Sequence, residues 1–412
     1  MPNSGSRPPA LGFIFVTLLL AIVGFGLLIP VLPKLVVQFQ GGNMSSGAHA
    51  YGWLVSIFSL MQFIASPILG SLSDRFGRRR IILISTAGSA IDYVIMANAP
   101  NLSWMFVARM ISGITAGVLA TANAYLVDVT PPEKRAQSFG LLGAAFGLGF
   151  VIGPALGGLL GKFDLRLPFW FAAGCAALNW LWGFFVLPES LAPENRRPFD
   201  WRRANPIGAL AAVRRFPAVL GLTECFFILW LAQTMLQATW ALYTDRRYGW
   251  DSLQIGLSLM AAGALMGVVQ AGLVKKLVPR LGEQRAVILG LAVSAAAQVA
   301  YGLASQGWMI YVIIVFAALA GIASPALQAY VTKHVPPNEQ GAVQGVFTGL
   351  ASLANIPGPF IATWSFGWAV APERKFHLPG IAFFEAAVFV LIALALAIRS
   401  FRADARAAAP AP

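Results

Sequence analysis

Few residues in this chain of 412 could do chemistry, and most of them stand alone inside apolar runs. Asp92, in AIDYVIM, is a carboxyl group with apolar neighbours on both sides. A carboxyl in such a place can exchange a proton for a cationic ligand. Arg109 lies 17 residues further on, about two turns inside the next apolar run. An arginine within a membrane span costs about 2.5 kcal/mol or more at the centre, so it must face the protein interior and find a partner. Glu224 and Glu385 are the other embedded acids. The three histidines, His49, His334 and His377, are far apart in loops. The two cysteines, Cys175 and Cys225, fall in apolar runs with no disulfide or zinc spacing and read as small core residues. No phosphate-binding GxxxxGK[ST] loop occurs, and no nucleophile is clustered with a base. These patterns point to proton exchange and ligand binding without a cofactor, a metal, ATP or covalent chemistry, so an enzyme is not expected.

The elements that position these residues are membrane spans. The composition is 58% hydrophobic and 11% charged, against about 25% charged in a soluble domain. About 20 apolar residues cross a bilayer as a helix. By that measure the chain has twelve spans: 10–33, 51–73, 81–99, 102–126, 138–161, 167–187, 217–243, 252–274, 285–304, 307–332, 341–365 and 378–398. The first run is longer than the apolar core of a signal peptide and reads as a retained span. The expected fold class is an all-α polytopic membrane protein.

The net charge of +13 sits in short loops. The termini and the loops after spans 2, 4, 6, 8 and 10 hold 21 of the 29 lysines and arginines. This places both termini in the cytoplasm, in a multi-pass protein of the cell (inner) membrane, with no call for nucleic acid as a partner. An odd number of spans would break the alternation.

Residues 188–216 form the one long connection, rich in Pro and Arg. The expected organisation is an N-terminal six-helix bundle (1–187), a cytoplasmic linker (188–216) and a C-terminal six-helix bundle (217–412). Within the linker, WRRANPIGALAAVRR has the pattern of a basic amphipathic helix lying on the membrane surface. The halves are repeats. AYLVDVTPPEKRAQSFG from Ala124 parallels AYVTKHVPPNEQGAVQG from Ala329 at an offset of 205, and the same offset carries Gly153-Pro154 onto Gly358-Pro359. Such repeats are related by an axis along the membrane normal, with the substrate between them.

Three motifs stand out. Gly70-x-Leu72-x-Asp74-Arg75-x-Gly77-Arg78-Arg79 follows span 2. Gly70 suits close helix approach and Gly77 suits the turn between spans 2 and 3. Arg109-x3-Gly113-x3-Gly117 lies in span 4. Gly147-x-Gly149-x3-Gly153-Pro154-x2-Gly157-Gly158 lies in span 5, where glycines four apart make a groove for a neighbouring helix and proline kinks it.

With these motifs the chain resembles the major facilitator superfamily over nearly its whole length, and within it the twelve-helix drug/proton antiporters of the tetracycline-efflux type. The resemblance implies a major facilitator fold and proton-coupled export of small drug-like compounds, tetracycline or related, by a monomer. It implies a cytoplasmic gate at Gly70, Asp74, Arg75, Gly77, Arg78, Arg79 and Asp128. There Asp74 would lie at the N-terminus of span 11 and the basic residues would reach Asp128. It assigns Arg109 to proton transfer, matches Asp92 to an acid implicated in transport, and makes Gly149, Gly153, Pro154, Gly157 and Gly158 an antiporter motif. The second-half loop LVKKLVPRLGEQR keeps Gly282 but has Pro279 in place of the acid, so the gate is expected on one side only.

Proton coupling is assigned to Asp92 with Arg109, aided by Glu224. Candidate cavity-lining residues are Gln62, Phe63, Asp92, Asn123, Gln233, Gln237, Trp240 and Gln328. At three positions the chain departs from the tetracycline exporters: Ala21, Met266 and Ser294 stand where they carry Asp, His and Asp. The alternative on the same fold is a metabolite carrier, facilitative or uptake, without tetracycline activity.

Overall fold

A computed structural model describes residues 8–199, 220–336, 339–375 and 377–407. The surface-helix expectation for 201–215 lies outside the described residues. The described residues are helical, with no strand among them. Eleven helices are long and apolar enough to cross a membrane, and a bent pair supplies the twelfth. Large side chains such as Phe163, Leu178, Phe185 and Val268 stay exposed, as lipid-facing surfaces do.

The expected spans are all present, but several are not continuous helices. Span 1 is made of Gly12–Leu28 and Leu32–Phe39, meeting at 41°. Pro30 lies at the break, where it removes an N–H and disfavours a helical backbone at the preceding residue, Ile29, which lies in a turn. Span 4, Leu102–Val129, relaxes at Ala116-Gly117, whose ψ values are −6° and −5°. Span 10, Gly307–Lys333, tightens to a 3-10 turn at Ala318–Ile322. The offset of 205 carries Ala116-Gly117 onto Gly321-Ile322, so this break repeats. Span 11 is interrupted at Asn355-Ile356, just before Pro357, and span 8 has a π-helical stretch at Val269–Leu273. Hydropathy reports lipid compatibility and is blind to such interruptions.

Close packing divides the chain into two compact units, Met1–Phe39 with Ile57–Pro206 and Asp251–Met260, and Gln40–Ser56 with Ile207–Trp250 and Ala261–Pro412. In the first, Gly149, Gly153 and Gly157 of span 5 (Leu142–Phe163) lie on Ile22, Gly26 and Leu27 of span 1. A Cβ at Gly157 would fall 2.3 Å from the Leu27 carbonyl oxygen. Gly158 and Pro154 meet Ser252 and Gly256, at the start of span 8 (Ser252–Leu281). The core of this unit gathers Phe13, Ile14, Leu18, Ile82, Val118 and Tyr125.

In the second unit, Gly358 of span 11 lies on Leu231 and Thr234 of span 7 (Leu220–Tyr248), the counterpart of the span 1/span 5 contact. The start of span 2 (Met44–Phe76) packs on span 11: Ser56 Oγ donates to the Ile356 carbonyl at 2.9 Å, and His49 stacks on Trp364 with ring centres 4.5 Å apart. Glu385 of span 12 (Ile381–Asp404) accepts a hydrogen bond from Ser365 Oγ at 2.7 Å.

Candidate functional site

Asp92 and Met96 are one helical turn apart on span 3 (Arg78–Asn98), so they share a face. Span 4 begins at Asn101, whose side chain accepts the Trp104 N–H and caps the helix. Two turns later Arg109 meets that face. Arg109 Nη2 lies 3.4 Å from Asp92 Oδ2 and 3.1 Å from Met96 Sδ. Its guanidinium sits over the Phe58 ring of span 2, 5.3 Å from the centroid. Gly113 permits this, because a Cβ there would fall 2.4 Å from the Phe58 carbonyl oxygen. Asp92 is fully buried and Arg109 is 4% exposed.

The pair is therefore desolvated, and removing one partner strands the other charge, at a cost of about 3–5 kcal/mol. Asp92 Oδ1 and Arg109 Nε are buried with no hydrogen bond of standard geometry. A carboxylate paired with one arginine can be released from it by a proton or by a competing cation.

The expected gate residues form a second cluster, centred on Arg78. Gly77 has φ 97° and ψ 151°, a conformation reserved for glycine, and it turns the chain sharply into span 3. Arg78 then reaches back. Its Nη1 lies 2.6 Å from Asp74 Oδ1, and its Nε donates to Asp128 Oδ2 at 3.2 Å. Thus Arg78 is the basic residue that reaches Asp128. Arg75 lies over the Phe76 ring, and Arg79 donates to the Phe184 carbonyl at 2.6 Å.

Gly70 corrects an expectation. Among the described residues of its own unit, a side chain there would meet nothing within 4 Å, so no close approach within that unit explains it. Close approach falls instead to Gly113 and Gly117, against Met61 and Leu69 of span 2.

Gln62 and Phe63 of span 2, Gln233 and Gln237 of span 7, and Gln328 of span 10 are half-buried, and Asn123 of span 4 is exposed. Gln328 Nε2 donates to Ser324 Oγ one turn earlier on its own helix. Trp240 departs from the expectation of a cavity-lining residue. It is 3% exposed and packs edge-on to Tyr301 and Phe383, because an indole on this inward face of span 7 completes an aromatic cluster. Glu224 is exposed near the start of span 7 and belongs to the second unit, whereas Asp92 and Arg109 belong to the first. Cys225 is buried and Cys175 half-buried. Among the described residues no cluster of His, Cys, Asp or Glu could hold a metal.

Sequence reasoning missed Phe58 and Met96 as partners of Arg109. The Asp92-x3-Met96 spacing was the available signal for one of them. It also missed Glu189 and Ser190, which pack on the Arg78 cluster.

Comparison with known proteins shows the family. Residues 14–359 match the family described as Major Facilitator Superfamily. The chain is 40% identical over 385 residues to the class C tetracycline resistance protein of Escherichia coli, covering 93% of this chain and 95% of that one. It is 38% identical to the class G tetracycline resistance protein of Vibrio anguillarum, covering 83% and 87%. A solved structure of a bacterial homologue of the human lysosomal transporter Spinster shares the fold, with TM-score 0.78 and 18% identity over 99% of this chain and 100% of that one. With twelve spans, two repeated halves and these relatives, the chain belongs to the Major Facilitator Superfamily of membrane transporters.

Proposed function

We propose that this protein is a proton-coupled exporter of small drug-like compounds, tetracycline or a related molecule, from the cytoplasm across the inner membrane. The observation that carries this reading is the 40% identity to a tetracycline resistance protein along nearly the full length of both chains. Both termini face the cytoplasm, a reading supported by the distribution of lysine and arginine. The protein works as a monomer, with the proton gradient as its energy source and no cofactor.

Carriers built from repeated halves expose a central site to each side in turn. In the state that faces the cytoplasm, ionised Asp92 recruits the cationic or polar part of the substrate, which competes with Arg109 for the carboxylate. In the state that faces outward, a proton neutralises Asp92, the substrate leaves, and Arg109 is freed from its partner. The half-buried Gln62, Phe63, Gln233, Gln237 and Gln328 supply hydrogen bonds and contact area. The Asp74–Arg78–Asp128 cluster closes the cytoplasmic side during the outward-facing stage.

Ala21, Met266 and Ser294 give the site fewer charged groups than the tetracycline exporters carry. The class of compound is therefore to be read from a panel. In an efflux-deficient host, expression raises resistance to tetracycline, to lipophilic cations, or to both. If the protein reaches the membrane and no susceptibility changes, the export reading fails. Counterflow of a metabolite that persists after the proton gradient is collapsed would establish a facilitative carrier instead.

A further inference from the structure

The start of the linker is fastened to the Arg78 cluster by four separate contacts. Glu189 Oε1 accepts the backbone N–H of Arg78 at 2.8 Å, together with the N–H groups of Ser190 and Leu191 at 3.0 and 3.2 Å. Ser190 Oγ donates to Asp128 Oδ2 at 3.1 Å, the same oxygen that accepts Arg78 Nε. The Arg197 N–H donates to the Asp74 carbonyl at 3.1 Å. Tyr125 Oη donates to the Pro188 carbonyl at 3.1 Å.

The Glu189 carboxylate occupies the place of an N-cap side chain. Span 3 starts after Gly77, which has no side chain to cap it, and the first N–H groups of a helix need an acceptor. A Cβ on Gly77 would lie within 2.1 Å of Glu189 Oε2, so the carboxylate fills the space a side chain would take. A negative charge at a helix N-terminus is also favoured by the helix dipole. At the matching turn of the second half, among the described residues, a Cβ on Gly282 would meet nothing within 4 Å, so no distant carboxylate fills that space.

We propose that Glu189, with Ser190, is a positioning residue of the transport cycle: the linker caps span 3 and thereby sets Arg78 between Asp74 and Asp128. Movement of the linker is then felt directly at the cluster. Loss of the cap loosens Arg78 and slows the turnover between states while leaving the substrate site intact.

Two measurements on the full-length protein in lipid nanodiscs and proteoliposomes test this. The first is hydrogen exchange of the backbone amides at 78–82. Glu189→Ala is expected to speed it about five- to tenfold, and Glu189→Gln, which keeps an acceptor, to restore most of the protection. The second is the rate of substrate export, which rests on the export reading above. Glu189→Ala is expected to lower the maximal rate about tenfold with KM within about twofold, and Glu189→Gln to recover most of it. Unchanged exchange overturns the cap. Faster exchange with an unchanged maximal rate overturns the positioning role, as does a rise in KM alone. The exchange measurement needs no substrate, so it stands even if the export reading fails.

Discussion

The two halves make the same turn and line it with opposite charges. Gly77 and Gly282 are 205 residues apart and both have positive φ, 97° and 79°, with ψ 151° and 153°. The residue after each starts a 21-residue helix. In the first half that residue is Arg78, paired with Asp128 near the end of span 4. The offset of 205 carries Arg78 onto Glu283 and Asp128 onto Lys333, and Glu283 pairs with Lys333 at the end of span 10. The geometry of the repeat is kept while the sign of both partners is reversed.

What differs is the depth and the company of the pair. Arg78 is 9% exposed and is held by Asp74 as well, with Glu189 and Ser190 packed on the turn. Lys333 has a side chain 65% exposed, and Pro279 stands where Asp74 would be. Neighbouring contacts in the second half are lateral, with Gln284 donating to Tyr330 Oη and Tyr330 donating to Asp404. An ion pair in water is worth about 0.2–1 kcal/mol, whereas a group held by several charged hydrogen bonds is worth more. The backbone of the repeat therefore fixes where a pair forms, and the surrounding side chains fix how much depends on it.

The largest contrast is expected at the glycines themselves. Alanine at either position adopts a backbone region that costs about 1–3 kcal/mol. Gly77→Ala also displaces the Glu189 carboxylate and forfeits a cap worth about 1 kcal/mol more. In thermal unfolding in detergent, Gly77→Ala is the more destabilised of the two and the more impaired in export. Equal losses would mean that the Glu189 contact contributes nothing.

Next come the charged partners. Arg78→Ala leaves Asp74 and Asp128 facing each other and costs about 2 kcal/mol, discounted for the solvent that reaches both acids. Lys333→Ala costs under about 1 kcal/mol. Export rate and melting temperature measured side by side check the order, and a reversed order would contradict the difference drawn between the halves.

The smallest effect is expected from reversing the second pair. Glu283→Lys alone places like charges together and reduces stability by a few tenths of a kcal/mol, about the scale of an exposed pair. Adding Lys333→Glu restores it in a double-mutant cycle. The corresponding double reversal at Arg78 and Asp128 does not restore function, because Asp74 then faces a like charge and loses the guanidinium that holds it.

Much of this architecture was legible in the sequence. Twelve apolar runs, the alternation of basic loops and the offset of 205 gave the spans and the two repeats. Asp92 and Arg109 were legible because charges are so rare inside apolar runs that each requires a partner. The glycine ladder of span 5 was legible as packing, and its partner proved to be span 1. The offset also carries Gly157 onto Ala362, so the two halves differ in how closely their paired helices approach.

Other features were not legible, for definite reasons. The breaks in spans 1, 4, 10 and 11 are set by single backbone positions that hydropathy averages away. Gly70 looks like a packing glycine by its motif, but what faces it depends on neighbouring helices. Trp240 looked like a lining residue because polarity and ring character do not say which way a helix is turned. Glu189 makes its contact with Arg78 across 111 residues, and no local pattern joins them.

The deepest difference between the halves lies inside the spans. The offset carries Asp92 onto Ala297 and Arg109 onto Ile314, so the buried ion pair has no counterpart in the second half. If proton coupling rests on that pair, one measurement isolates it. Wild-type protein and Asp92→Asn, reconstituted in proteoliposomes, are compared in pH-gradient-driven transport and in substrate counterflow without a gradient. The expected result is loss of gradient-driven transport, by about tenfold or more, with counterflow reaching a near-normal maximal rate at a raised KM, because Asp92 also contacts the substrate. Full gradient-driven transport by Asp92→Asn would contradict the assignment of coupling to Asp92.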